Sequence, residues 1–135
     1  MSNPHKPRIL IIEDNPGDIL LFRFALSDAG LDCEISEISD GEIALELLRS
    51  GGQVLPDLVV LDLNLPKVSG REILAAIRAQ PDLQPVPVVI WTSSNAHLDR
   101  MQLQEFGIAR YLVKPPEFRD LAPLGATIKE ILSTG

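Results

Sequence analysis

Cysteine is almost missing from this sequence: Cys33 stands alone, so no internal disulfide can form. Its expected place is a strand, as a small apolar filler. A basic surplus is missing too. The 12 Lys and Arg stand against 19 Asp and Glu, a net charge of −7, which argues against a chain that grips nucleic acid by neutralising phosphates. No apolar run is long enough to cross a bilayer. Met1 to Arg8 contains no apolar signal-peptide core. Linkers, repeats and low-complexity tracts are absent as well. Membrane, secreted and nucleic-acid classes are set aside on these grounds, and a soluble cytoplasmic protein is expected. What the chain does contain is 45% hydrophobic residues in a length of 135, enough for the ordinary core of one domain. Residues 1–135 are expected to form that single domain, with residues 1–7 as a flexible tail.

Five short apolar runs recur: Arg8–Ile12, Cys33–Ile38, Asp57–Leu61, Val86–Trp91 and Tyr111–Val113. Their starts lie 25, 24, 29 and 25 residues apart, which leaves room in each interval for a strand, a turn and a helix of about three turns. Runs one, three and four are apolar almost throughout, as strands covered by helices on both faces must be. Run two alternates Glu34 with Ile35 and Glu37 with Ile38, the pattern of an edge strand with one wet face. The segments between read as helices. Asn15-Pro16 supplies an N-cap and a proline at the first helical position, and Gly30 closes that helix. Asp40 caps a second helix ending at Ser50-Gly51-Gly52, Ser69 a third ending before Gln80-Pro81, and Asn95 a fourth ending at Gly107. Proline is tolerated only in a first turn, so Pro123 sets the start of the last regular helix near Asp120. Right-handed crossovers then give an α/β fold, a doubly wound five-stranded parallel sheet with five helices.

Such sheets bind ligands at the carboxyl ends of their strands, and the reactive residues fall there. Glu13 and Asp14 follow the first strand, Asp62 the third, Thr92 ends the fourth and Lys114 follows the fifth. If strands one and three are neighbours, three carboxylates converge in one crevice. Close carboxylates repel unless a cation joins them, and an oxygen-rich set of this kind suits Mg²⁺. A lysine adds a point positive charge suited to a phosphoryl oxygen. Carboxylate, Mg²⁺, lysine and hydroxyl together can move a phosphoryl group, a reaction governed by positioning and charge neutralisation.

The segments Ile12-Glu-Asp-Asn-Pro16, Leu61-Asp-Leu-Asn-Leu-Pro66 with Gly70, Trp91-Thr-Ser-Ser94 and Tyr111-Leu-Val-Lys-Pro115 resemble the receiver domain of two-component response regulators over essentially the whole chain. Asp62 precedes Thr92 by 30 residues and Lys114 by 52, which matches that family. The resemblance implies a flavodoxin-like strand order 2-1-3-4-5 and no attached output domain. It implies Asp62 as phospho-acceptor, with Mg²⁺ held by Glu13, Asp14, Asp62 and the backbone carbonyl of Asn64. Thr92 would be the switch hydroxyl, Tyr111 the coupled aromatic, and Lys114 the partner of Asp62 and then of the phosphoryl oxygens. Lys114-Pro115 would be a cis peptide. Glu13 in place of the commoner aspartate, Ser93 in place of alanine and Pro116 after Pro115 depart from the usual pattern. Asn64 and Ser94 occupy variable positions that influence acyl-phosphate lifetime. The Glu-Asp-Asn-Pro-Gly-Asp opening is similar to that of the small regulators paired with bacterial and cyanobacterial phytochromes. A sensor histidine kinase is the implied partner, with a bacteriophytochrome as one candidate.

Other polar and aromatic residues read as structural. Asp57 follows Pro56 at the amino end of its strand and is expected to be a solvated turn residue. Trp91 belongs with the core. His5 falls in the tail and His97 has no second ligand near it.

On the first helix, Leu21, Phe22, Ala25, Leu26 and Ala29 make an inward stripe. Ile19, Leu20 and Phe24 fall outside it and are expected to form the face on which the kinase docks. The resemblance also implies a homodimer face on the fourth helix, fifth strand and fifth helix, with Leu103, Ile108 and Tyr111 as contributors. Two other functions compete. A phosphorylation-independent scaffold would not need the set Asp62, Thr92 and Lys114. A phosphatase of the haloacid-dehalogenase type would need a second acid two residues after Asp62, where Asn64 stands.

Overall fold

The computed structural model describes residues 6–51, 55–93, 101–115 and 120–134. The five runs of Val, Ile and Leu become strands, since branched side chains fit a pleated, buried surface. They are β1 (Arg8–Ile12), β2 (Glu34–Ile38), β3 (Leu58–Leu61), β4 (Val88–Thr92) and β5 (Arg110–Val113). All pair in parallel in the order β2-β1-β3-β4-β5. β3 and β4 are buried along their whole length, while β2 and β5 form the two half-exposed edges.

Helices α1 (Pro16–Asp28), α2 (Gly41–Ser50) and α3 (Gly70–Ala79) lie between the strands. Residues 101–103 belong to α4, and α5 (Ala122–Thr134) comes last. The expected caps are in place. The side chains of Asn15, Asp40 and Ser69 accept from the N–H groups of Asp18, Glu42 and Glu72 respectively, which satisfies donors that a helix leaves open. Asn95, Ser94, His97 and Pro116 lie outside the described residues, and so does His5.

The sheet separates two apolar layers. Phe22, Ala25 and Leu26 of α1 and Leu124 and Ile128 of α5 pack on Ile9, Ile11, Leu58, Val60, Val89 and Trp91. Helices α2 and α3 cover the other face, on Ile12, Val59, Leu61, Val88 and Ile90. Burying one such side chain stabilises the fold by about 1.5–3 kcal/mol. Gly125 lets α5 approach α1: a Cβ there would stand 2.8 Å from the Ala25 carbonyl oxygen.

Several expectations shift, and Cys33 stands just before β2 rather than within it. β4 starts at Val88 rather than Val86, because the segment before it turns through a 3₁₀ helix at Pro81–Leu83. Arg78 holds that turn, donating to the carbonyls of Leu83, Gln84 and Val86, and across to those of Phe106 and Gly107. Ile19 is buried, at 8% exposure, instead of facing solvent. Leu103 belongs to the core under α3 and leaves the candidate dimer face, where Ile108 and Tyr111 remain half-buried. The Lys114-Pro115 bond is trans, the isomer X-Pro bonds favour by about 0.5–1 kcal/mol.

Candidate functional site

The sheet's ladder continues one residue past three strands. Glu13 N–H donates to Ile38 O at 3.0 Å, Asp62 N–H to Ile12 O at 3.1 Å and Lys114 N–H to Thr92 O at 2.7 Å. Those three residues therefore keep the alternation of strand side chains. Glu13 follows the phase of Ile9 and Ile11, Asp62 that of Leu58 and Val60, and Lys114 that of Leu112, all on the α1 and α5 face. Three side chains from three strands thus emerge on one side of the sheet and meet.

Lys114 Nζ lies 2.6 Å from Glu13 Oε1, 2.8 Å from Asp18 Oδ2 and 3.0 Å from Asp62 Oδ2. It also stands 5.0 Å from the centre of the Trp91 ring, within cation–π range. Glu13 is 1% and Asp62 5% exposed. Burial pushes the Glu13 carboxyl up to about 8, helped by Asp62 and opposed by Lys114. Burial acts on Asp62 in the same direction, but the Asn64 N–H, the hydrogen bond with Glu13 and the Lys114 ammonium outweigh it. The Asp62 carboxyl is held below its ordinary range. Burial disfavours the charged ammonium of Lys114, yet Asp18, Glu13 and Asp62 raise it above its usual value. Burial thus works against ionisation of Glu13, while fixed donors and the lysine favour the ionised form of Asp62.

Carboxylate oxygens of Glu13, Asp14 and Asp62 all come within 4.8 Å of one another. Such hard oxygen donors fit a divalent cation. Asn64, expected to add a backbone carbonyl, sits beside them with its N–H on Asp62 Oδ1 at 3.0 Å. Its side-chain amide donates to Thr92 Oγ1 at 3.2 Å and Ser93 Oγ at 3.1 Å. Thr92 is fully buried and shares the phase of Val88 and Ile90, so its hydroxyl enters from the α3 face. Tyr111, half-buried, packs against the same layer. In the ladder it pairs with Ile90, two residues before Thr92.

On α1, Leu20 is 67% and Phe24 61% exposed. They form an apolar pair four residues apart on one face of the helix. Asp18 is the site residue that sequence reasoning passed over. Its signal was an acid at the third position of a helix that begins at a strand's carboxyl end. Asp57, at the other end of β3, is exposed and accepts the Arg8 N–H at 2.8 Å, so it ties two strands together. A surface cavity of about 530 Å³ also lies toward that end, lined by Leu10, Ile38, Leu47, Leu55 and Leu83 with Arg8 at its rim. It shares no residue with the carboxylate cluster.

Residues 9–124 match the response regulator receiver domain. The chain is 38% identical to the probable methanogenesis regulatory protein FilR2 of Methanothrix harundinacea, covering 90% of this chain and 81% of that one. It is 39% identical to response regulator Rcp1 of Synechocystis, over 89% and 84% of the two chains. The Mn²⁺-bound structure of Rcp1 superposes with a TM-score of 0.81 at 35% identity, covering 92% of each chain. The phosphorylated cyanobacterial phytochrome response regulator RcpA gives 0.85 at 34% identity over 97% of each chain. Fold, converging side chains and relatives agree: this chain belongs to the response regulator receiver domains, the phospho-accepting signalling proteins of two-component systems.

Proposed function

We propose that Asp62 is the residue that accepts the phosphoryl group, from a phosphohistidine of a sensor kinase. The observation that carries this reading is the 3.0 Å contact between Lys114 Nζ and Asp62 Oδ2. A buried, ionised carboxylate beside a fixed cation is a nucleophile with a ready phosphoryl partner. An Asp62 oxygen forms the new O–P bond as the donor's P–N bond breaks, and the imidazole leaves with the bonding pair. Lys114 then donates to a phosphoryl oxygen. Glu13, Asp14, Asp62 and the Asn64 carbonyl would hold Mg²⁺, which neutralises charge on the transferring group. Thr92 moves its hydroxyl to the acyl phosphate and Tyr111 follows, which shifts a two-state equilibrium and rebuilds a binding face. The chemistry is confined to the protein's own phosphorylation and dephosphorylation.

Leu20 and Phe24 form the kinase docking face. A phytochrome kinase is the partner suggested by Rcp1 and RcpA, and the shared compartment is the cytoplasm. The second face, on α4, β5 and α5, suits a homodimer. Residues 1–135 act as one receiver domain, and the signal passes on through the binding face that phosphorylation rebuilds.

Acetyl phosphate with Mg²⁺ should add the mass of one phosphoryl group to the intact protein, and chelation should prevent it. Absence of any gain while beryllofluoride also fails to bind would defeat the reading. Leu20→Glu should impair transfer from the kinase and leave uptake from acetyl phosphate intact. Equal transfer from the kinase would remove the docking face.

A further inference from the structure

We propose that Asp18 is a positioning residue of the site, a fixed support that aims the Lys114 ammonium at Asp62. The inference rests on the phospho-acceptor reading given above.

An ammonium has three donors and no acceptor. Here its three contacts are carboxylate oxygens of Glu13, Asp18 and Asp62, at 2.6, 2.8 and 3.0 Å. Every donor is therefore engaged, and the longest contact is the one to the nucleophile. When a phosphoryl group joins Asp62, only that third donor has to change acceptor. Glu13 and Asp18 keep the other two, so the lysine needs no new placement at the moment of transfer. Lys114 reaches the site from β5, Glu13 from β1 and Asp18 from α1. Without the α1 contact, a long and flexible side chain would be fixed on one side only.

Ordinary helix chemistry leaves the Asp18 carboxylate free for this task. An acid at the third helical position commonly reaches back to the N–H of the capping residue. In this protein the Asn15 N–H is already taken by Glu13 Oε2 at 3.2 Å. The cap itself runs the other way, from Asp18 N–H to Asn15 Oδ1 at 3.1 Å. That bond anchors the Asp18 backbone while its Oδ2 points at the lysine. Asp18 is also not one of the three acids that cluster for a cation, which are Glu13, Asp14 and Asp62. The cluster thus divides its labour: one set of oxygens faces the cation, and Asp18 faces the lysine.

Asp18→Ala and Asp18→Asn in the full-length protein test this. The asparagine keeps an acceptor oxygen and drops the charge. With acetyl phosphate and Mg²⁺ both saturating, alanine should slow phosphorylation about tenfold through lost alignment. Asparagine should restore the rate to within about threefold, because a neutral acceptor still holds an ammonium donor. Trp91 is the single tryptophan of the chain and lies under Lys114, so its emission reports the lysine directly. Alanine should alter that emission in the unphosphorylated protein, and asparagine should return it toward wild type. An alanine variant that phosphorylates within twofold of wild type or faster, with unchanged Trp91 emission, overturns the proposal. So does a loss that asparagine fails to rescue, since that would make Asp18 a charge and not a support. If wild type itself takes up no phosphoryl group and binds no beryllofluoride, the phospho-acceptor reading fails instead, and the emission comparison still decides whether Asp18 holds Lys114.

Discussion

Strand β3 has an aspartate at each end, and the two share nothing but their chemistry. Asp57 is exposed and accepts the backbone N–H of Arg8. Asp62 is buried, meets Lys114 and stands among other acids. Parallel strands explain the difference. Every strand points its carboxyl end the same way, so loops that carry acids in the sequence are gathered at one end of the sheet. At the amino end the same geometry gathers turns, and their charges stay wet. A carboxylate becomes reactive where several elements remove its water and replace it with fixed partners.

The largest expected effect breaks the comparison outright. Asp62→Asn should abolish phosphoryl uptake from acetyl phosphate, whereas Asp57→Asn should leave it at the wild-type rate, as read by intact mass. Asp57→Asn should cost no more than about 1 kcal/mol in urea unfolding, for one weakened exposed hydrogen bond. A phosphorylated Asp62→Asn protein would move the acceptor elsewhere.

Lys114→Ala should come next. It leaves Glu13, Asp18 and Asp62 facing one another without their cation, and loss of a buried partner costs roughly 3 kcal/mol. Divalent cation should recover part of that loss, and denaturant midpoints with and without Mg²⁺ measure both. Equal stability of mutant and wild type in the absence of metal would show that the lysine is not the site's main counter-charge.

The smallest effect is a pH dependence, and it belongs to the carboxyl end alone. Glu13 has a folded value of about 8 against an ordinary 4.5. The folded chain then keeps a proton that the unfolded chain releases. Stability from this group is complete below pH 4.5 and is lost as pH rises through about 8. Asp62 has the opposite sign: its contribution is present above its ordinary 3.8 and lost only as pH falls below that. Metal-free protein should therefore unfold more easily at pH 8.5 than at pH 5.5, and Glu13→Gln should flatten that slope. A cation that binds Glu13 must displace its proton. Calorimetry in buffers of different ionisation heat should detect proton release near pH 7.

Much of this was legible in the chain. The spacing of five apolar runs, the caps Asn15, Asp40 and Ser69 and the positions of Glu13, Asp14, Asp62, Thr92 and Lys114 could all be read directly. These are local signals, and periodicity carries them. The misplacements come from packing and side-chain hydrogen bonds, which the apolar pattern does not show. Ile19 lies off the apolar stripe of α1 on paper but is covered in the fold. Leu103 is drawn into the layer under α3. The 3₁₀ turn at Pro81–Leu83, held by Arg78 through the carbonyls of Leu83, Gln84 and Val86, decides where β4 begins.

The sequence by itself determined which residues could react and roughly where each would stand on its strand or helix. Tertiary structure decided which of them share an environment. Strand phase carried past β1, β3 and β5 puts Glu13, Asp62 and Lys114 on one face, and packing of α1 on that face adds Asp18. Burial then separates the Glu13 and Asp62 carboxyls and fixes the charge on Lys114. Those properties arise from distance and lost water, which are not written in any one segment of the chain.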